Sequence, residues 1–357
     1  MNSGKYNSNN GVIGNIWRQK VSQSDKEGMH SIPKLDEDVY NLFNAWNFQL
    51  PDNADDINNF IINLKCELGI EKMNDVFDCF YILAAATQSQ SLTNWAQPGR
   101  YNLTYEGGTD LTFTALRGWK ASANGALAWL NTNFNPYFEV CNFNNNVPVY
   151  DSNAATATYS YYNYGGSMGI YINEIPVNAY IAPFVYDIGS HRAVNTPGYG
   201  NSISVLTNNT VSYQYASYLS RINGFAQQNP MYGGSTNASQ GVFNFPPFYS
   251  IVRTDLFRFQ LYCNGQVNIT VPNSIPGTIA LGTSASTLFG TASAPGPIIF
   301  PSINVSTTGT VSKQLIQGQP LRQYAFVFIG SRSIDQSILY NNVNNYLHSI
   351  GAAVINS

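Results

Sequence analysis

A long series of short apolar segments between about residues 100 and 330 constrains this fold more than any other feature. The segments are rich in Tyr, Phe, Val, Ile and Thr, and clusters of Gly, Pro and Asn separate them. Asn264-Gly265 joins two segments, and this dipeptide favours a tight hairpin because both central positions of a type I′ turn need positive φ. Many short strands with frequent turns predict an antiparallel β-sandwich. The predicted strands cover 111–115, 156–164, 169–175, 202–206, 211–215, 249–252, 257–262, 266–271 and 324–329.

A helix is predicted before this β region, over residues 54–68. Asn53 is a plausible N-cap, and Gly69 is a plausible stop. The apolar run 76–86 follows, and periodicity does not decide between a buried strand and a second short helix. The first helix owes its apolar stripe to residues at three- and four-residue steps: Ile57, Phe60, Ile61, Leu64 and Leu68.

A second helix is predicted after the β region, over about 334–350. Ser333 with Gln336 three residues later matches a capping box, and Gly351 fits the position after the C-cap. We expect the two helices to lie near one another on the sandwich. The buried face of the second helix is predicted to consist of Leu339, Val343, Tyr346, Leu347 and Ile350.

The composition excludes several classes of ligand. Charged residues make up 10% of the chain, far below the roughly 25% of an average soluble domain. Aromatic residues reach 14%, which favours a folded chain over a disordered one. The net charge is −3 and basic residues form no stripe, so we predict binding to neither nucleic acid nor membrane. The N-terminus carries no apolar signal-peptide core, and the four cysteines fit no zinc spacing.

The sequence shows no pattern typical of an active site. A glycosidase needs two carboxylates about 5–10 Å apart, and the acids between 120 and 330 do not alternate along a strand. No G-x-S-x-G elbow accompanies the three histidines. We therefore predict no catalytic residue, no cofactor and no metal site, with Asp151 and Asp187 as candidate ligands if a loop bound calcium. The acids and histidines considered are Glu139, Asp151, Glu174, Asp187, Asp255, His30, His191 and His348.

A cluster of tyrosines offers a candidate ligand-binding surface. Aromatic rings stack on the apolar face of a pyranose, while Asn side chains bond its hydroxyl groups. Trp119 and Trp129 flank another loop of this kind. Two alternatives stay open: the tyrosines at alternating positions form one packed face of a strand, or the surface contacts another protein. The candidate residues are Tyr159, Tyr161, Tyr162, Asn163 and Tyr164.

An ordered set of motifs resembles the concanavalin A-like, laminin-G-like jelly-roll domain of tailed-bacteriophage virion proteins. The set spans about 55–351, and its implied fold is a concanavalin A-like sandwich with a helix before and a helix after the β region. The segment 272–320 is longer than this resemblance implies, and 141–170 is unusually rich in Asn and Tyr. The matching runs are 56–61 (DINNFI), 74–77 (NDVF), 92–95 (LTNW) with Pro98, 113–115 (FTA), 117–119 (RGW), 131–132 (NT), 134–136 (FNP), 253–254 (RT), 261–265 (LYCNG), 326–330 (FVFIG) and Ile350-Gly351.

The resemblance implies a non-enzymatic virion structural protein of the tail, a fibre or the capsid surface, made in the host bacterial cytoplasm. We predict an N-terminal arm over 1–50 that anchors it and a sandwich domain over 51–357. Expected partners are other virion proteins, further copies in a homo-oligomer such as a trimer, and a host-surface glycan. The alternatives are a glycan-binding receptor-recognition module at the tail tip and, less favoured, a polysaccharide depolymerase. The arm's predicted assembly contacts are Val12, Ile13, Ile16 and Trp17.

Overall fold

The described part of this computed structural model comprises four α-helices and seventeen β-strands. By contacts the chain divides into the units Met1–Asp36 and Glu37–Ser357, and all of these elements belong to the second unit. The helices are α1 (Glu37–Ala45), α2 (Ala54–Leu68), α3 (Gln88–Ser91) and α4 (Gln336–Ser349). The structure describes residues 35–106, 111–121, 129–134, 166–174, 185–193, 200–208, 212–218, 231–237, 247–255, 258–272, 298–299, 302–307, 310–315, 323–330 and 333–352.

The strands form two sheets. The first has the order β13-β12-β11-β6-β17-β4-β3, with β1 also paired to β17. The second has the order β10-β9-β8-β7-β14-β5-β2, with β15 on β7 and β16 on β15. The first sheet contains β1 (Phe77–Ile82), β3 (Leu111–Thr114), β4 (Gly118–Ala121), β6 (Gly166–Glu174), β11 (Phe248–Asp255), β12 (Arg258–Cys263), β13 (Gln266–Pro272) and β17 (Gln323–Gly330). The second contains β2 (Thr104–Glu106), β5 (Trp129–Asn131), β7 (Val185–Ala193), β8 (Gly200–Asn208), β9 (Ser212–Tyr218), β10 (Met231–Asn237), β14 (Ile298–Ile299), β15 (Ser302–Thr307) and β16 (Thr310–Leu315).

The predicted fold class, a mainly β antiparallel sandwich with a helix before and a helix after the β region, is confirmed. The described pairings are antiparallel except for β15 on β7, which is parallel. The two sheets touch through Tyr105 of β2 and Trp119 of β4, whose rings stack 5.7 Å apart. Among the described helices, none combines the length and the apolar character that a membrane span requires.

The first sheet is covered on both faces. Phe80 of β1 packs against Phe60 of α2, with ring centroids 6.0 Å apart, on one face. The neighbouring Tyr81 points to the other face, where its hydroxyl donates to the Tyr101 carbonyl at 2.6 Å. Every residue of β1 and β17 is therefore buried, and these strands lack the alternation that marks a half-exposed strand. For this reason periodicity could not decide between a strand and a helix for the segment 76–86. In the structure this segment contains the strand β1, Phe77–Ile82.

The helical layer consists of α2 and α4 packed against one another, as expected from the sequence. Phe60 and Tyr346 stack with centroids 4.7 Å apart. Asn53 Nδ2 donates to the Tyr346 hydroxyl at 3.2 Å instead of capping α2 with its side chain. The helix α2 has the predicted bounds, and Gly69 at φ +66 ends it in the left-handed region.

The start of α4 differs from the prediction. The N-cap is Asp335, not Ser333, because the Asp335 carboxylate accepts from the backbone N–H of both Ser337 (2.8 Å) and Ile338 (3.2 Å). The helix begins at Gln336, so Asp335 directly precedes its first turn and Ser333 lies two residues too early to accept these bonds. The predicted stop is confirmed, since Gly351 has φ +70.

The Asn264-Gly265 hairpin is also confirmed, and it docks on α4. Asn264 and Gly265 have φ of +48 and +74, as a type I′ turn requires. A Cβ atom on Gly265 would lie 2.7 Å from Ser337 Cα, so this position has no room for a side chain. The turn therefore ties the β12–β13 edge of the first sheet to the helical layer.

The segment 37–46 packs on the helical layer. Lys65 Nζ of α2 lies 2.7 Å from Asp38 Oδ2 of α1. Trp46 Nε1 donates to Thr93 Oγ1 at 2.9 Å. The anchoring role predicted for the arm over 1–50 stays a prediction, because residues 1–34 lie outside the described ranges.

Candidate functional site

The nine residues predicted from sequence as the ligand-binding cluster and the arm contacts lie outside the part of the chain that the structure describes, so their predicted roles stay predictions. This holds for the tyrosine cluster and for the arm contacts. They are Tyr159, Tyr161, Tyr162, Asn163, Tyr164, Val12, Ile13, Ile16 and Trp17.

Asn94, from the LTNW motif, has a structural position. Its side chain is fully buried, and its Nδ2 donates to the carbonyls of Asp78 (2.8 Å) and Arg100 (3.1 Å). Its Oδ1 accepts from the backbone N–H of Phe80 at 2.9 Å. Asn94 therefore fixes the loop after α3 to β1 by satisfying buried backbone groups.

Trp119, one of the two tryptophans considered for ligand binding, is also part of the core. It is 1% exposed, and its Nε1 donates to Ser91 Oγ at 2.9 Å. Its position between the sheets leaves no face for a ligand. The structure therefore separates it from Trp129, which lies in the second sheet.

Trp129 belongs to a polar group on the second sheet, which we call the β2–β5 cluster: Thr104, Glu106, Trp129 and Asn131. The register pairs Thr104 with Asn131 and Glu106 with Trp129. Successive residues of a strand point to opposite faces. Tyr105 and Leu130 turn toward the first sheet, where Leu130 is fully buried, so the cluster lies on the face turned away from it.

Glu106 holds the β2–β5 cluster together. Trp129 Nε1 donates to Glu106 Oε2 at 2.9 Å, and Asn131 Nδ2 donates to Glu106 Oε1 at 2.8 Å. Hydrogen bonds to a carboxylate are about twice as strong as neutral ones. One carboxylate thus orients both the indole and the amide, while all three side chains remain half-buried and Thr104 is exposed.

Asn133 fixes one end of this surface. It adopts φ +55, and its Nδ2 donates to the Asn102 carbonyl at 2.7 Å and to Thr104 Oγ1 at 3.2 Å. Asn tolerates this left-handed conformation better than most residues. The bonds join the turn after β5 to the start of β2, so both strands hold a fixed position.

The β2–β5 cluster presents several groups that can form hydrogen bonds to a ligand or stack against it. It combines an aromatic ring with an amide, a hydroxyl and a carboxylate, whose oxygens can each accept more than one hydrogen bond. Glu106 lies in the second sheet, whereas Glu174 lies in the first and pairs with Lys120 Nζ at 2.6 Å. Within the described ranges, no group of three or more His, Cys, Asp or Glu side chains could hold a metal ion.

Sequence reasoning named Trp129 but missed its partners. The contacts to Glu106 bridge 23 and 25 residues of sequence, and they join two strands of three residues each. Strands this short give almost no alternation to read. The only signal in the sequence was the two-residue spacing of Thr104 and Glu106, and likewise of Trp129 and Asn131, which places each couple on one face of a strand.

No protein-family model matches the chain, and no curated protein matches its sequence. Among solved structures it is similar to the receptor-binding domain of botulinum neurotoxin D, at 13% identity and a TM-score of 0.44, over 76% of this chain and 54% of that one. A serotype D ligand-binding domain in complex with N-acetylneuraminic acid matches at 13% identity and a TM-score of 0.41, over 77% and 51%.

A mutant sialidase of Trypanosoma rangeli displaying trans-sialidase activity matches at 10% identity and a TM-score of 0.40, over 80% of this chain and 38% of that one. The chain thus spans about half the length of the neurotoxin domains. Likeness at these scores assigns no function, and the fold stands on the strand pairing described above.

Proposed function

We propose that this chain is a non-enzymatic attachment protein that binds a surface glycan through the β2–β5 cluster. The observation that carries the proposal is the double hydrogen bond of Glu106 to the Trp129 indole and the Asn131 amide. Ligand sites commonly join apolar surface with a few fixed polar groups that determine orientation. A pyranose presents the same combination, with an apolar ring face and a fringe of hydroxyl groups.

The cluster is held in place before any ligand arrives. The hydrogen bonds from Trp129 and Asn131 to Glu106, and from Asn133 to Thr104, lie within or between β2, β5 and the turn at Asn133. A surface that is already ordered loses little conformational entropy on binding. This rigidity supports recognition of a small, repeated ligand such as a polysaccharide unit.

The proposed setting is the surface of a tailed-bacteriophage particle. Its support is the ordered set of motifs that resembles virion jelly-roll domains. The LTNW run supplies Asn94, the LYCNG run supplies the hairpin at Gly265, and the FVFIG run forms the central strand β17. In this setting the N-terminal arm anchors the chain to other virion proteins. Several copies of the chain in one oligomer bind glycans at the same time, so individually weak contacts together give stable adsorption.

A glycan array tests the binding proposal. The purified wild-type chain is applied to an array of bacterial surface polysaccharides, beside Trp129→Ala and the control Tyr262→Ala. Tyr262 is a half-buried aromatic residue whose hydroxyl donates to Gln260 Oε1 at 2.7 Å. It therefore resembles Trp129 in residue type and burial, but it lies in the first sheet instead of the second. We expect Trp129→Ala to lose binding at least about tenfold and Tyr262→Ala to retain it.

Absence of any binder, or equal loss in both variants, contradicts the proposal. If binding survives Trp129→Ala but is lost in Tyr161→Ala and Tyr162→Ala, the predicted tyrosine cluster is the glycan site instead. New reducing ends after incubation with a bound polysaccharide would establish the depolymerase alternative. Failure of an antibody against this chain to label purified particles would overturn the virion setting alone.

A further inference from the structure

We infer that this site binds two linked sugars of a glycan chain, one against Trp129 and the next against a neighbouring row of polar side chains. We call this the polar row: Thr104, Asn131 and Asn133. The inference rests on the proposed function and names the length of glycan that the same site accepts. Its basis is the way the polar row continues the surface beyond the tryptophan.

The polar row extends the face of β5 that carries Trp129. Side chains two residues apart on a strand point to the same face. Trp129, Asn131 and Asn133 follow this spacing, and the intervening Leu130 and Thr132 are fully buried on the opposite face. At about 3.3 Å per residue, the surface reaches up to about 13 Å along the strand direction. This length exceeds one pyranose ring and suits a linked pair.

The far end of the polar row is ordered by its own hydrogen bonds. Asn133 Nδ2 donates to Thr104 Oγ1 at 3.2 Å, and the Asn133 backbone N–H donates to Asn131 Oδ1 at 3.0 Å. Thr104 and Asn133 are exposed, and Asn131 is half-buried. Hydroxyl and amide oxygens each have two lone pairs, so the row can accept from sugar hydroxyl groups while it keeps these contacts.

The two ends of this surface suit different parts of a sugar chain. The Trp129 indole offers an apolar face to a sugar ring, whereas the polar row offers hydrogen bonds. A single sugar stacked on Trp129 does not reach Asn133. A second sugar linked to the first binds without a further loss of translational freedom, so its contacts add almost fully to the affinity.

The test measures affinity against the length of the glycan. Fragments of one to six sugars, prepared from a polysaccharide that the wild-type chain binds on the array, are titrated by ligand-observed NMR. We expect the affinity to rise at least about tenfold from one sugar to two, because the second sugar adds several hydrogen bonds. From two sugars to six it should rise no more than about fivefold, because only the number of binding registers increases.

Two variants remove parts of the polar row and keep Trp129. Thr104→Val removes the hydroxyl group with little change in shape, and Asn133→Gly removes the amide while keeping the positive φ, which glycine adopts readily. In each variant the gain from one sugar to two should fall below about threefold. The affinity for a single sugar should stay within about twofold of wild type, which also shows that the variant is folded.

The control is Thr112→Val, at an exposed threonine of β3 in the first sheet, which should keep the full gain. Equal affinity of the wild type for one sugar and two overturns the inference and leaves the proposed function standing, as does a gain that persists in both Thr104→Val and Asn133→Gly. A gain that first appears beyond three sugars also contradicts it, because the surface is too short. If no polysaccharide on the array and no fragment binds, the proposed function itself fails, and the inference fails with it.

Discussion

Lys65 Nζ of α2 lies 2.7 Å from Asp38 Oδ2 of α1, and each side chain is only 9% exposed. Asp38 Oδ2 also accepts from the backbone N–H of Met73 at 3.1 Å. Removing one partner of a buried ion pair leaves an uncompensated charge and typically costs about 3–5 kcal/mol. We therefore expect Lys65→Met to lower the free energy of unfolding by roughly that amount in urea titrations.

The chain provides a matched control for this pair. Lys72 and Glu37 join the same part of the structure at 3.1 Å, but their side chains are 49% and 66% exposed. Lys72→Met should leave the urea midpoint unchanged, because exposed pairs contribute little. Equal effects of Lys65→Met and Lys72→Met would show that burial of the Asp38 pair does not hold α1 in place.

Alanine substitutions at Gly265 and Gly351 distinguish the energetic cost of a strained backbone from that of a steric clash. Their φ values are +74 and +70, but a Cβ on Gly265 would lie 2.9 Å from the Gln336 carbonyl oxygen, whereas nothing lies within 4 Å of one on Gly351. Gly351→Ala should cost about 1 kcal/mol from the left-handed conformation alone. Gly265→Ala should cost more than about 2 kcal/mol, because the hairpin must also move away from α4. Indistinguishable thermal midpoints for the two variants would contradict the docking of the turn.

Alanine substitutions at Asp335 and Ser333 test which of the two residues caps α4. Asp335→Ala should cost about 1 kcal/mol, whereas Ser333→Ala should be neutral. The hydrogen bond from the Ser337 hydroxyl lowers the pKa of Asp335 below its ordinary value. A lowered folded-state pKa stabilises the protein above about pH 4 and loses that stabilisation as the pH falls further. The difference between wild type and Asp335→Ala should therefore shrink under acid, and a constant difference across the pH range would argue against this cap.

Buried tyrosines predict a loss of stability at high pH. Burial raises the pKa of Tyr346 and Tyr171, and it raises the pKa of Tyr81 well above its ordinary value. In the unfolded chain these hydroxyls ionise near pH 10, so the unfolded state gains stability as the pH rises through that value. We expect the urea midpoint to fall between about pH 9 and 11, and Tyr346→Phe to reduce the slope. Tyrosinate absorbance of these three groups in the folded protein near pH 10 would refute this.

The sequence alone was sufficient to predict an element where a single local signal determined its structure. The stripe from Ile57 to Leu68 gave α2, and Asn264-Gly265 gave the hairpin. Both rest on contacts within a few residues. The cap of α4 was misplaced, since Ser333 and Asp335 both carry suitable side chains and only the helix geometry decides between them.

The β2–β5 cluster could not be predicted, because it depends on register between strands far apart in the chain. Nothing in the run Thr104-Tyr105-Glu106 identifies Trp129 as the neighbour of Glu106. The complete burial of β1 also depends on tertiary structure, since Phe80 and Tyr81 face different layers. An alternating sequence pattern identifies a strand that is buried on one face only, whereas β1 is buried on both faces.

The indole resonance of Trp129 provides the most direct test of glycan binding at the β2–β5 cluster. The chain has five tryptophans, so ¹⁵N labelling of the indoles gives a simple spectrum in which Trp129→Phe identifies the Trp129 signal. On titration with the glycan that binds best in the array, the Trp129 Nε1–H signal should shift and saturate, while the buried Trp95 and Trp119 signals stay in place. Binding that leaves the Trp129 signal unmoved would contradict the account.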